Sequence, residues 1–133
     1  MVAQEEIEMV SKDPKLIVDI DNTITIHESS KQYSEKSPNL EVISKLHEYK
    51  KNGFEIILFT ARNMHTHQGD LGKINAITAP ILVKWLAKHN VPYDGLILGK
   101  PWCGEGGFYV DDKAIRPSEF TELSYDEIKQ LIE

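Results

Sequence analysis

The sequence is short of cysteine and of long apolar runs, and each shortage excludes a class of protein. Cys103 is the single cysteine among 133 residues, so no disulfide forms within the chain and a reducing compartment is expected. No apolar stretch approaches the roughly 20 residues of a membrane span, and the N-terminus carries no apolar signal segment. We therefore expect a cytoplasmic protein that is neither secreted nor attached to a membrane.

The chain also lacks an excess of basic residues. Its 15 lysines and arginines are outnumbered by 21 aspartates and glutamates, which gives a formal net charge of −6. A nucleic-acid surface needs a basic footprint, so we expect no nucleic-acid partner. The length suits one domain over residues 1–133, in which residues 1–13 form a loose extension or a short helical turn.

Four short, largely apolar runs each end in polar residues that can take part in chemistry. The runs Leu16–Val18, Phe54–Phe59, Leu96–Leu98 and Phe108–Val110 are each predicted to be a strand. Such runs are typical of parallel sheets that are buried on both faces. The polar residues that follow them are Asp19 and Asp21, Thr60 and Arg62, Lys100, and Asp111 and Asp112. Because the carboxyl ends of parallel strands share one edge, we expect these side chains to converge.

Helical patterns separate the predicted strands. The predicted helices run from Ser37–Pro38, with Ser37 as cap, to Gly53; from about Pro80 to His89, with Thr78 as cap; and onward from Ser124, where Glu127 completes a capping box. Residues 24–37 are expected to form a small hairpin or flap, and residues 118–123 to be irregular. The expected fold is α/β: a three-layer, Rossmann-like parallel sheet with helices on both faces and no cap domain.

The long connection over residues 62–79 is rich in histidine, asparagine, glycine and threonine, which is typical of a binding loop. Arg62, Asn63 and Lys73 are its best donors for polar contacts with a substrate. His65 and His67 raise the alternative of zinc, but one such pair without cysteine support is a weak signal.

The connection between the last two predicted strands is short. Only about residues 101–107 join them, whereas a parallel crossover normally needs a dozen residues or more. Two interpretations stay open. The segment crosses in extended form, using the freedom of its glycines, or it leaves the domain to pair with another subunit.

Paired carboxylates, a hydroxyl and a lysine at one sheet edge suit phosphoryl transfer through an aspartyl intermediate. Carboxylate oxygens favour a hard cation such as Mg²⁺, which screens the charge that repels an anionic nucleophile. One carboxylate attacks phosphorus, while a second acid protonates the leaving oxygen and then activates water. A lysine and a hydroxyl stabilise the equatorial oxygens.

The order Asp19-x-Asp21-x-Thr23, Thr60, Lys100 and Asp111-Asp112 resembles the four motifs of the haloacid dehalogenase (HAD) superfamily of phosphohydrolases. The resemblance implies that Asp19 is the nucleophile and Asp21 the general acid/base, and that Thr60 and Lys100 bind the phosphoryl group. Thr23 would orient Asp21 or the flap. The implied Mg²⁺ ligands are Asp19, the Asp21 carbonyl and Asp111, with Asp112 helping through water or replacing Asp111. Lys73 and Lys113 are alternative cations if Lys100 is misplaced.

The segments Thr60–Met64, Gly99–Gly104 and Tyr109–Phe120 resemble a small capless bacterial subgroup that is associated with capsular and surface polysaccharide biosynthesis. The resemblance implies a phosphorylated sugar or another small phosphorylated precursor as substrate. Capless members often use a neighbouring subunit as a lid, so we expect a homo-oligomer, either a dimer or a tetramer. The alternatives are a phosphotransferase or mutase with the same site, a non-catalytic biosynthesis partner, and a receiver-like phosphoacceptor domain.

Overall fold

Three parallel strands form the sheet that carries the candidate site. The computed structural model describes residues 13–133, and its strands are β1 (Lys15–Asp19), β2 (Glu55–Thr60) and β3 (Gly95–Leu98). They are hydrogen-bonded in the order β1-β2-β3, with Ile57 paired to Ile17 on one side and to Gly95 on the other. Three of the predicted strands are therefore confirmed. The predicted N-terminal extension covers residues 1–13, of which residues 1–12 lie outside the described residues.

Five helical segments accompany the sheet. They are α1 (Leu40–Lys51), α2 (Leu71–Lys73), α3 (Ala79–Lys88), α4 (Pro117–Glu122) and α5 (Tyr125–Ile132), and a short 3-10 turn covers Tyr33–Glu35. Helix α1 begins later than predicted because Asn39, not Ser37, is its cap: the Asn39 side chain accepts a hydrogen bond from the Val42 N–H at 3.3 Å. Within residues 13–133, no helix has the length and apolar content to cross a bilayer.

The long predicted loop after β2 is largely helical in its second half. A π-helical turn, Ile74–Thr78, joins α2 to α3 without a break. Thr78, predicted to be a cap, instead donates its hydroxyl to Asn63 Oδ1 at 2.8 Å. Residues predicted to be irregular form α4, whereas the capping box of Ser124 and Glu127 at the start of α5 is confirmed.

The hydrophobic core lies on one face of the sheet. Ile56 and Leu58 of β2 are fully buried against side chains of α1 and α3, and Phe120 of α4 packs against the same cluster. Each such buried aliphatic side chain stabilises the fold by about 2 kcal/mol. On the opposite face, Ile17 and Ile97 are 60% and 51% exposed. The prediction of helices on both faces is therefore wrong for residues 13–133, which form two layers.

The predicted fourth strand is also wrong within these residues. Phe108–Val110 is not a strand, and Phe108 and Val110 are 79% and 88% exposed. A strand needs a hydrogen-bonding neighbour, and no backbone hydrogen bond joins these three residues to another part of residues 13–133. Asp111 and Asp112 therefore do not follow a strand of this sheet.

The predicted flap is present as a closed loop beside the strand ends. Thr25 and Pro38 form an antiparallel bridge, and the Ile26 N–H donates to the Ser37 carbonyl at 2.9 Å. Trp85 of α3 donates its indole N–H to the Lys36 carbonyl at 2.8 Å, which ties the loop to the helical layer. The loop is therefore closed at its base and tied to α3.

Candidate active site

The turn after β1 aims two carboxylates away from the core. Ile20 is fully buried, and its carbonyl accepts hydrogen bonds from the N–H groups of Thr23, Ile24 and Thr25 at 3.2, 2.8 and 3.1 Å. Asn22 lies in the left-handed region at φ 63°, which allows the chain to reverse so tightly. Because Ile20 is anchored in the core, Asp19 and Asp21 on either side of it are held at the carboxyl edge of the sheet.

Asp19 is held between a hydroxyl and an ammonium group. Its Oδ2 accepts a hydrogen bond from Thr23 Oγ1 at 3.2 Å, and its Oδ1 lies 3.4 Å from Lys100 Nζ. Burial raises the pKa of the Asp19 carboxyl above its ordinary value, and the charge of Lys100 and the Thr23 hydrogen bond oppose that rise. The structure therefore places a nucleophile candidate directly beside a cation.

Lys100 reaches Asp19 because β3 ends in a constrained turn. Gly99 has φ +94°, and a Cβ at this position would lie 2.7 Å from Leu71 Cδ2. The Lys100 N–H donates to the Thr60 carbonyl at 3.0 Å, which extends the pairing of β2 with β3 by one bond. Its ammonium group also lies 4.2 Å from the centroid of the Tyr109 ring. The sequence left the position of Lys100 open, and in the structure its ammonium group reaches Asp19.

Asp21 is paired with a buried arginine. Arg62 Nη2 donates to Asp21 Oδ1 at 2.7 Å, and Arg62 Nε lies 3.2 Å from both carboxylate oxygens. Thr60 Oγ1 donates to Asp21 Oδ2 at 3.4 Å. The Arg62 side chain is only 1% exposed, and the Tyr33 ring of the flap lies 4.2 Å from its Cζ. Arg62, predicted to contact substrate, orients Asp21 in this structure.

No sequence pattern singles out Tyr33. It lies in the polar flap segment without any periodic pattern, and its contact with Arg62 depends on how the loop closes against the sheet. An aromatic ring over a guanidinium group stabilises the cation and excludes water from it. The only available signal was an isolated aromatic residue in an otherwise polar loop.

Several predicted site residues are not brought to the acids. The Asn63 side chain makes two other hydrogen bonds: its Oδ1 accepts from Thr78 Oγ1 at 2.8 Å, and its Nδ2 donates to Thr66 Oγ1 at 3.4 Å. Lys73 is exposed on α2. Asp111 and Asp112 are exposed, and Asp111 Oδ1 accepts a hydrogen bond from the Lys113 N–H at 2.9 Å. Within residues 13–133, no three histidine, cysteine or acidic side chains are grouped closely enough to hold a metal ion.

An open cleft of about 540 Å³ lies along the chain segments that follow Arg62 and Lys100. It is lined by Met64, His65, Thr66, Gln68 and Trp102. The His65 ring lies 4.8 Å from the Trp102 ring, so this histidine contacts an aromatic side chain. The cleft combines one aromatic face with amide, imidazole and hydroxyl groups, which suits a polar organic group with some apolar surface.

Comparison with known proteins identifies a relative. A crystal structure of a target protein from Vibrio cholerae is 54% identical over 90% of this chain and 96% of that chain, with a TM-score of 0.87. No family model matches the chain, and no curated protein does. The chain belongs to the same family as this Vibrio cholerae protein.

Two solved structures of the Pnkp1/Rnl/Hen1 RNA repair complex also align, each at 21% identity. One alignment covers 66% of this chain and 26% of that chain with a TM-score of 0.47. The other covers 84% and 35%, with a TM-score of 0.48. At these TM-scores neither alignment establishes a common fold.

Proposed function

We propose that this protein is a Mg²⁺-dependent phosphomonoester hydrolase of the HAD type that works through an aspartyl-phosphate intermediate. Its proposed substrate is a phosphorylated sugar or another small phosphorylated precursor in surface polysaccharide biosynthesis. The observation that carries the proposal is the Asp19 carboxylate at the end of β1, 3.4 Å from Lys100 Nζ and two residues from a second, separately held acid.

In the first step, an Asp19 carboxylate oxygen attacks phosphorus. A new O–P bond forms, the P–O bond to the leaving group breaks, and Asp21 gives its proton to the departing oxygen. Lys100 lies beside the attacked group and offsets the charge on its equatorial oxygens. Thr23 donates to Asp19 Oδ2, so the proposed attacking atom is Oδ1, the oxygen beside Lys100.

In the second step, water attacks the phosphorus of the aspartyl phosphate. Asp21 accepts a proton from this water, the bond between phosphorus and the Asp19 oxygen breaks, and inorganic phosphate leaves. Arg62 and Thr60 hold Asp21 in one orientation throughout, because they contact both of its carboxylate oxygens. The leaving group is proposed to bind in the cleft lined by Met64, His65, Thr66, Gln68 and Trp102.

The proposed Mg²⁺ is only partly accommodated by one copy of the chain. Asp19 and Asp21 supply hard oxygen ligands of the right kind. The third acid is missing, because no group of three candidate ligands occurs in residues 13–133. Bound Mg²⁺ would offset negative charge at the phosphoryl group. Both proposed steps use only the chain's own residues.

The test is phosphate release from p-nitrophenyl phosphate and from a panel of sugar and amino-alcohol phosphates, with and without Mg²⁺. We expect Asp19→Asn to reduce the rate by at least about 10³-fold, because it removes the nucleophile. Asp21→Asn should slow turnover by about 10² to 10⁴-fold and allow the phosphorylated protein to accumulate. Asp126→Asn, an exposed acid on α5, is the matched control and should keep full activity.

The results also separate the alternatives. Activity that survives Asp19→Asn would contradict the proposed nucleophile. Transfer of phosphate to a sugar hydroxyl in preference to water would indicate a phosphotransferase or mutase. A stable phosphorylated protein without turnover in the wild type would indicate a receiver-like domain, and no reaction on the whole panel would indicate a non-catalytic partner.

A further inference from the structure

The strand that delivers the nucleophile has an unpaired edge. Among residues 13–133, β1 pairs with β2 on one side and with no strand on the other. Proteins usually cover or blunt such an edge, because its free N–H and C=O groups pair readily with another strand.

The same chain carries a segment suited to that edge. Phe108, Tyr109 and Val110 have high strand propensity and carry no charge, yet they are exposed and have no backbone hydrogen bond within residues 13–133. Exposing the apolar side chains of Phe108 and Val110 this fully is costly. An unpaired strand edge and an unpaired strand-forming segment on one chain are complementary to each other.

The connection before this segment turns back instead of crossing the sheet. Residues 99–107 separate it from β3, which lies at the opposite edge from β1. Gly104 and Gly106 have φ +75° and +76°, and a Cβ on Gly107 would lie 2.0 Å from the Cys103 carbonyl oxygen. The Tyr109 hydroxyl then donates to the Pro101 carbonyl at 2.6 Å. A crossover to β1 needs about a dozen residues or more, so pairing with the chain's own β1 is disfavoured.

We propose that Phe108–Val110 of one copy pairs in parallel with the free edge of β1 of a second copy, and that the exchange is reciprocal. Two copies related by a two-fold axis would satisfy both unpaired elements of each chain. In each site, Asp111 and Asp112 of the partner copy would follow the added strand and join Asp19 and Asp21. The metal-binding part of this proposal rests on the proposed function, whereas the strand exchange does not.

The exchange accounts for the acid that one copy lacks. Parallel strands deliver the residues that follow them to the same edge of the sheet, so Asp111 would arrive next to Asp19. Four carboxylates then supply the oxygen ligands that a divalent cation such as Mg²⁺ needs. Lys100 stays on the other side of Asp19, on its own chain. Each active site would be shared between two copies.

The first test is the mass of the full-length protein by light scattering and sedimentation. Wild type should be a dimer or a multiple of it, and Phe108→Glu/Val110→Glu should become a folded monomer, checked by circular dichroism. The control Leu40→Glu/Leu131→Glu changes two residues that are also exposed and should keep the wild-type mass. A monomeric wild type, or a Phe108/Val110 variant that keeps its mass, would overturn the exchange.

The second test mixes two inactive variants. Asp19→Asn keeps Asp111 and Asp112, whereas Asp111→Asn/Asp112→Asn keeps Asp19. Shared sites predict that the unfolded and refolded mixture regains about a quarter of wild-type activity, because half of the dimers are mixed and each has one intact site. Sites built within one copy predict no recovery.

The two tests separate failure of the exchange from failure of the proposed function. An inactive wild type whose mass falls with Phe108→Glu/Val110→Glu would refute the phosphatase and keep the exchange. An active wild type whose mixed variants stay inactive would refute the shared site and keep the phosphatase.

Discussion

The two acidic pairs of this chain are similar in sequence and opposite in surroundings. Asp19 and Asp21 follow a paired strand, flank a buried isoleucine and contact Lys100 and Arg62. Asp111 and Asp112 follow an unpaired segment and are exposed. Within residues 13–133, the acids that end a paired strand contact cationic side chains, and the acids that follow an unpaired segment do not. An exposed acid can still join a site if a partner strand is supplied.

Of the variants considered, Arg62→Met is expected to disturb the acidic pair Asp19 and Asp21 most severely. Removing the guanidinium leaves the partly buried Asp21 carboxylate without its main partner, which we expect to cost about 2–3 kcal/mol of unfolding free energy. Turnover should fall as well, because Asp21 loses the contacts that orient it. Urea unfolding measures the stability, and phosphate release measures the activity.

The control for Arg62→Met is Lys50→Met. Lys50 pairs with Asp94 at the surface, with a side chain that is 45% exposed. Such a pair contributes at most about 1 kcal/mol, so this variant should lose little stability and no activity. An equal loss of stability in both variants would show that the burial of Arg62 does not determine the cost of removing its charge.

The convergence of Asp19, Asp21, Thr60 and Lys100 could be predicted from the sequence. Short apolar runs indicate parallel strands, and the carboxyl ends of such strands share an edge whatever the helices between them do. In the structure Thr60 contacts Asp21 and Lys100 contacts Asp19. These contacts follow from the parallel direction of the three strands and from the residues at their carboxyl ends. Their catalytic roles stay predictions.

The positions that could not be predicted depend on interactions between distant segments. Arg62 turns inward because Asp21 and Tyr33 lie on either side of it, and neither is near it in sequence. Thr78 donates to Asn63 because a π-helical turn extends α3 at its N-terminus, and such a turn has no clear sequence signature. Phe108–Val110 has the composition of a strand, but a strand also needs a neighbour, and composition does not say which chain provides it.

Lys100→Met should sharpen the difference between the two acidic pairs, because it removes a positive charge that lies beside Asp19. Burial already raises the pKa of Asp19, and Lys100 opposes that rise, so its removal should raise the pKa further. Protonated Asp19 cannot attack phosphorus. The acid limb of the pH–rate profile should therefore move to higher pH, together with a fall in the maximal rate.

Stability provides a second readout for Lys100→Met. A folded-state pKa above the unfolded value means that the folded protein binds the proton more tightly, so stability is lost as pH rises from the unfolded toward the folded pKa. The variant should lose more stability over this range than wild type does. Lys84→Met, which changes an exposed lysine on α3, is the control and should leave both profiles unchanged. An acid limb that stays in place would mean that Lys100 does not act on Asp19.

The smallest expected effect on stability without metal comes from Asp111→Asn/Asp112→Asn, a variant that the shared site predicts to be inactive. In EDTA, substituting these two exposed residues should change the unfolding free energy by no more than about 0.5 kcal/mol, because the substitutions break no buried contact. Added Mg²⁺ should then stabilise wild type and not the variant, since a ligand that binds only the folded state raises its stability. A variant that Mg²⁺ stabilises as well as wild type would place the metal on Asp19 and Asp21 alone. A variant that is already much weaker in EDTA would mean that the second pair is as organised as the first.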